Sequence, residues 1–210
     1  MSKAEETFVA LVGDRIVHRT LAENATGIAA CGLLRPSTIA ALAGIAEESL
    51  ALRRERTLLR FGNHHARLNH QKPLLAGRTR AADFLDGHSL QSWACQLDRR
   101  VFFWPGRAGT AFQASLDGAG AACDYRLDSR RFFRTFGDLI DLSPINSGSA
   151  LRSPARRGDW IYVPAPRAES FRTNRRLRLG KQSADTVQEI SLRADIPPEL
   201  WSELLAPIGT

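Results

Sequence analysis

The sequence predicts an α+β fold, and three observations lead there. Short runs rich in β-branched and aromatic residues, at 15–20, 101–104 and 187–192, read as strands. Between them, apolar residues recur at helical spacing. The phosphate-binding signatures of doubly wound folds are missing: the chain carries neither Gly-x-Gly-x-x-Gly nor Gly-x-x-x-x-Gly-Lys. At 210 residues, with no internal repeat and no low-complexity tract, the chain reads as one domain over residues 1–210.

Taken in order, residues 5–12 place Phe8, Val9, Leu11 and Val12 on an amphipathic helix that Gly13-Asp14 breaks. Residues 15–20 are the first strand. A first core helix follows over 23–32, started by Thr20 or by Glu23-Asn24 and stopped by Gly32. Pro36-Ser37 opens a second helix, with Ile39, Leu42, Ile45, Ala46 and Leu50 at helical spacing as far as Arg53 or beyond. The polar stretch 57–76 reads as a solvated loop, or as a cover over a ligand site. Its histidines, His64, His65 and His70, lack a metal-ligand spacing and a partnering Cys or carboxylate, so no metal site is expected.

Residues 79–98 carry Phe84, Leu85, Leu90, Trp93, Ala94 and Leu97 at helical intervals. Val101-Phe102-Phe103-Trp104, stopped by Pro105-Gly106, is the clearest strand, with one face for the core and the other able to line a pocket. A helix is expected over 110–116 and a strand over 121–127, with Asp128-Ser129 capping a helix through 130–136. Asn146 and Ser147, in the turn-rich 142–149, read as ligand donors or as makers of Asx-type turns. Residues 158–164 read as a short strand, 167–179 as a basic stretch, and Pro197-Pro198-Glu199 as the opening of a last helix. In the strand 187–192, Val187, Glu189 and Ser191 share one face, where the Glu189 carboxylate faces solvent or sits partly desolvated in a cleft.

Composition narrows the classes. No apolar run reaches the roughly 18–20 residues that span a bilayer. The first residues carry acidic charge and no secretory h-region. Three scattered cysteines without Cys-x-x-Cys suit a reducing cytoplasm. The net charge of +7, from 29 basic and 22 acidic residues, is mostly arginine. That suits a pyrophosphate or a nucleic acid, and equally a coding bias toward Arg on solvated faces, so charge alone names no partner. No Gly-x-Ser-x-Gly hydrolase elbow is present.

The segment Val17-His18-Arg19-Thr20-Leu21-Ala22-Glu23-Asn24 carries the most chemistry. Residues i and i+2 of a strand face the same side, so His18 and Thr20 can point at one ligand, and a strand that then turns into a helix suits a nucleotide ribose. Read without that ligand, the same residues are a capping Thr and a surface His.

His-x-Thr-x-x-x-Asn, followed by Ile28 and Gly32-Leu33-Leu34, resembles the start of the ADP-ribosyltransferase fold, in spacing nearest the DarT-type DNA ADP-ribosyltransferases and related uncharacterised bacterial domains. The similarity covers residues 16–34. A second patch, Val187-Gln188-Glu189-Ile190-Ser191-Leu192, resembles the late strand that carries the catalytic Glu of that fold. The resemblance implies a split, mixed sheet of short strands with helices outside, and NAD as co-substrate. It implies His18, Thr20 and Asn24 on the NAD edge, Glu189 as the catalytic residue, and Phe103 or Trp104 walling the nicotinamide, where the fold usually has a Tyr. Arg67-Leu68-Asn69-His70-Gln71 is similar to an Arg-Leu-x-x-Gln segment of the uncharacterised relatives, which makes Arg67 and Gln71 candidate contacts. Arg67, Arg53 or Arg54 is the candidate for the pyrophosphate. The implied activity is transfer of ADP-ribose to a macromolecular acceptor, nucleic acid included, or to a small molecule, in the toxin or phage-defence setting of such enzymes. The alternative is a catalytically inactive module of the same fold that binds NAD, ADP-ribose or nucleic acid.

Overall fold

A computed structural model describes residues 2–75, 84–106, 122–150 and 155–206. Helix α1 (Lys3–Val12) starts where the Ser2 side chain accepts from the Glu5 N–H, and it buries Phe8, Val9 and Val12. Gly13 ends it, and β1 (Arg15–Leu21) follows. The 3-10 turn Ala22–Asn24 then leads into α2 (Ala25–Cys31). Gly32 stops α2 at a φ of 78°, where a Cβ would lie 2.0 Å from the Ile196 carbonyl oxygen. The backbones of Leu33 and Ile196 pair there.

The expected second helix is shorter than its apolar pattern. It runs as α3 (Pro36–Leu42) and stops where Gly44 takes a φ of 70°; only a turn, α4 (Glu47–Leu50), follows. The polar stretch expected as a loop is a hairpin. Strands β2 (Thr57–Phe61) and β3 (His64–Leu68) pair in register about Gly62-Asn63, and a turn, α5 (Lys72–Leu75), comes next. Apolar alternation was hidden there because the hairpin buries only Leu59 and Leu68. Helix α6 (Leu90–Asp98) begins in a capping box between Ser89 and Ser92. The helical expectation over 79–83 and the helix expected over 110–116 lie outside the described residues.

The remaining elements are β4 (Val101–Pro105), β5 (Ala122–Asp128), α7 (Ser129–Phe136), β6 (Ile140–Ser143), β7 (Val163–Pro164), a 3-10 run (Ala165–Thr173), α8 (Asn174–Leu179), β8 (Glu189–Leu192) and α9 (Pro198–Leu204). Six strands form one sheet in the order β5-β1-β4-β8-β6-β7. All its described pairings are antiparallel, which corrects the expected mixed sheet. Strand composition locates a strand but does not encode its direction, which the path of the connections sets.

The join between β1 and β4 places the site. β1 pairs with β5 along its whole length but meets β4 only at Ile16–Pro105 and Val17–Trp104. On its other edge β4 pairs with β8, through Val101–Phe103. The sheet therefore parts after Val17. One face of it, with Ile16, Val101, Phe103, Ile140, Leu142, Ile190 and Leu192, belongs to a core shared with α1, α7, the 3-10 run and α9. A second cluster holds Trp93, Ala94 and Leu97 of α6 with Phe84, Leu85, Ile161 and Tyr162. A third joins α3 to the β2–β3 hairpin through Ile39, Ala40, Leu50, Leu59 and Leu68. Among the described residues no helix is long and apolar enough to cross a membrane.

Candidate functional site

Where the sheet parts, a cavity of about 680 Å³ opens, within the size of small-molecule sites. His18 and Thr20 of β1, Asn24, Gly27 and Ile28 beyond it, Phe102 and Trp104 of β4, Gly148, and Glu189 of β8 line it. The β2–β3 hairpin adds Phe61, His65 and Arg67. Gly27 permits that approach, since a Cβ there would lie 3.0 Å from the His65 carbonyl.

His18 spans the parting. Its Nδ1 lies 2.9 Å from the Phe102 carbonyl oxygen, and its ring packs 5.6 Å from that of Phe103. A carbonyl only accepts, so Nδ1 carries the hydrogen and Nε2 is left as an acceptor. Burial holds the imidazole neutral, lowering its pKa to about 4, while the Phe102 carbonyl and Asp124 pull the other way.

Asn24 is a clamp. Its Nδ2 donates to Thr20 Oγ1 at 3.0 Å and to the Arg67 carbonyl at 3.1 Å, and its Oδ1 accepts the Arg67 N–H at 2.8 Å. The side chain expected to touch a cofactor thus fastens the hairpin to the end of β1. Gln71 is committed likewise. Its Oε1 accepts from the Leu52 N–H, and its Nε2 donates to the Ala94 carbonyl and to Asp98. Arg53 is taken by Asp98, at 2.6 and 3.0 Å. Arg67, which lines the cavity, gives its Nε to Glu23 at 2.6 Å.

The β4 aromatics divide by alternation. Phe103 is fully buried and packs on Phe132 at 4.9 Å, so the expectation that it walls a ligand is corrected: it belongs to the core. Trp104 lines the cavity, and so does Phe102, which was not expected. Continuing the β4–β8 register sets Trp104 level with Glu189.

Glu189 is 3% exposed. Ser147 gives Oε1 both its hydroxyl, at 2.5 Å, and its backbone N–H, at 3.3 Å. Among the described residues, none of the hydrogen bonds of Glu189 goes to Oε2. Burial pushes the carboxyl up to about 7, against the Ser147 donors and the Arg100 and Arg157 guanidiniums, which favour the ionised form. Arg100 is itself held by Asp141 and Ser191 and lies 3.9 Å from the centre of the Tyr162 ring. Among the described residues no hydrogen bond of good geometry reaches the buried Tyr162 hydroxyl; burial raises its pKa, and the nearby Ser147 hydroxyl pulls it down.

Asn146 makes the Asx-type turn read from the sequence, its Oδ1 accepting the Gly148 N–H at 3.1 Å. Ser147 instead serves Glu189. Arg157, 2% exposed, drew no notice in the sequence, where it reads as one of the paired arginines 156 and 157. Nothing in residue type separates it from Arg156, which forms an exposed pair with Asp86. Among the described residues, no group of three or more His, Cys, Asp or Glu is placed to hold a metal ion.

Residues 14–200 match the family described as a family of unknown function, DUF7002, and the chain belongs to that family. No curated protein matches the chain, and no solved structure does.

Proposed function

We propose that this DUF7002 member is an NAD-dependent ADP-ribosyltransferase with an ADP-ribosyltransferase-like sheet, and that the cavity at the parting of β1 and β4 is its NAD site. One observation carries the reading: His18, Trp104 and Glu189 stand on three neighbouring strands, β1, β4 and β8, and reach one cavity. It joins the two patches of resemblance, which lie at opposite ends of the sequence.

The residues fit the substrate. NAD supplies a glycosidic bond between a ribose carbon and a cationic nicotinamide, and its cleavage builds positive charge on that carbon. His18 Nε2 is an acceptor suited to a ribose hydroxyl. Trp104 and Phe102 offer ring faces to a flat heterocycle. Arg67 lines the same cavity, with a guanidinium suited to a pyrophosphate. Glu189 Oε2 would face the developing charge, and a cation beside it returns a carboxyl that sits near 7 to its ionised form. The acceptor is a macromolecule, nucleic acid included, or a small molecule.

The second reading is a catalytically inactive module of the same fold that holds NAD, ADP-ribose or a nucleic-acid end, in which the hold of Ser147 on the buried Glu189 is structural. The test is NAD binding by calorimetry beside nicotinamide release, for the parent, His18→Ala and Glu189→Gln. Turnover lost in Glu189→Gln supports the transferase. Binding that needs His18, without turnover in the parent, selects the binding module. Neither binding nor turnover rejects both.

A further inference from the structure

Arg157 is almost wholly buried, yet among the described residues it forms no ion pair. Its hydrogen bonds all go to carbonyls: Nε to Ala155 at 2.9 Å, and Nη1 to Asn146 at 3.2 Å and Ser147 at 3.0 Å. Burying a cation costs several kcal/mol unless opposite charge faces it. The carboxylate whose field acts on it is Glu189, on the far side of Ser147.

The Asn146–Ser147 peptide group thus lies between two buried charges with its polarity aligned: its Asn146 carbonyl accepts from Arg157, and its Ser147 N–H donates to Glu189. The Ser147 hydroxyl adds a second donor to Glu189, and the Ser147 carbonyl is held by Arg157 and by Trp93 Nε1 at 3.1 Å. Donors chained in this sense strengthen one another. The other charged or titratable groups facing Glu189 are Arg100, neutralised by Asp141, and the Tyr162 hydroxyl.

Building on the transferase reading, we propose that Arg157 is a positioning residue for Glu189: through the Asn146–Ser147 segment it fixes the carboxylate with Oε1 held and Oε2 presented, its charge acting beside that of Arg100. Arg157 touches no substrate in this scheme.

The test titrates Glu189 in the substrate-free protein, by carbon-13 NMR of its carboxyl, in the parent, Arg157→Lys, Arg157→Met and Ser147→Ala. The titration of Arg157→Met is expected about one pH unit higher, a tenfold loss of ionised form at fixed pH, with Arg157→Lys between it and the parent. Arg157→Met in the Ser147→Ala background is expected to add little, since both act through the same segment. If Arg157→Met does not fold, the Lys and Ser147→Ala variants carry the comparison. An unmoved titration in the Arg157 variants that fold, or full additivity, overturns the proposal. This readout needs no NAD, so it stands apart from the transferase reading. If the parent does turn NAD over, Arg157→Lys should lower kcat at unchanged KM and move the acid limb of the pH profile upward, whereas KM rising alone would also overturn it.

Discussion

The hydroxyl and the backbone N–H of Ser147 both point at Oε1 of Glu189, 2.5 and 3.3 Å away. One oxygen of the carboxylate is therefore held by the protein, and its partner atom receives no donor among the described residues. Such one-sided bonding fixes orientation while leaving an acceptor for something else.

Stability should record the burial of Glu189. Its carboxyl rises from 4.5 to about 7 on folding, so between those values the folded chain binds more proton than the unfolded one. Its contribution to stability therefore worsens as pH climbs through that window, by about 3 kcal/mol in all. Glu189→Gln is expected to raise the Tm at pH 8 and to lose that advantage near pH 4.5. Calorimetry at the two pH values checks it, and a gap independent of pH would contradict it.

His18 acts in the opposite sense. Its pKa falls from 6.5 to about 4, so the unfolded chain takes up the proton first, and stability is present above 6.5 and lost as pH falls toward 4. His18→Asn is expected to cost about 1 kcal/mol at pH 7 through the bond to Phe102. That deficit should shrink or reverse near pH 4, as urea midpoints at both pH values would report.

Removing the Asn24 amide takes away two hydrogen bonds to the hairpin at Arg67 and one to Thr20 of β1. Asn24→Ala should lose about 1–3 kcal/mol. Amide exchange across β2 and β3 should quicken well before that of the six-stranded sheet. Equal acceleration everywhere would mean that the clamp is not local.

Neighbouring aromatics on β4 should part company. Phe103→Ala empties a fully buried site and is expected to cost about 3–5 kcal/mol. Trp104→Ala, half-buried on the cavity side, should cost markedly less stability and, on the transferase proposal, diminish the thermal shift expected with NAD. The converse pattern would place the ligand on the wrong face.

Gly32→Ala pairs a positive φ with an added carbon 2.0 Å from the Ile196 carbonyl. The substitution should cost at least about 1–3 kcal/mol and loosen the Leu33–Ile196 pairing, read by denaturation and amide exchange.

The two patches that the structure brings to one cavity, around His18 and Glu189, were legible as strands from their apolar residues, and as candidates from the polar side chains those residues flank. Alternation along 101–104 also told that one aromatic face would be core, but not which. The β2–β3 hairpin was illegible because it hides little from solvent. Asn24 and Gln71 line the cavity, but the sequence does not tell that their amides are also engaged within the protein, since an amide that bonds a backbone 43 residues away, as Asn24 does with Arg67, has the same composition as one that bonds a ligand. Arg157 was invisible for the reason that makes it informative: a charge inside the protein is written with the same letter as one outside.

The strand order β1-β4-β8 also has a temporal side. His18 meets a carbonyl 84 residues downstream, and Glu189 joins the sheet later still in the chain. Loop closure over such separations is slow compared with forming local turns, so the cavity is expected among the last features to assemble. A nascent chain emerging from the ribosome would present β1 and β4 long before β8. During synthesis, the pocket wall that bears the carboxylate does not yet exist.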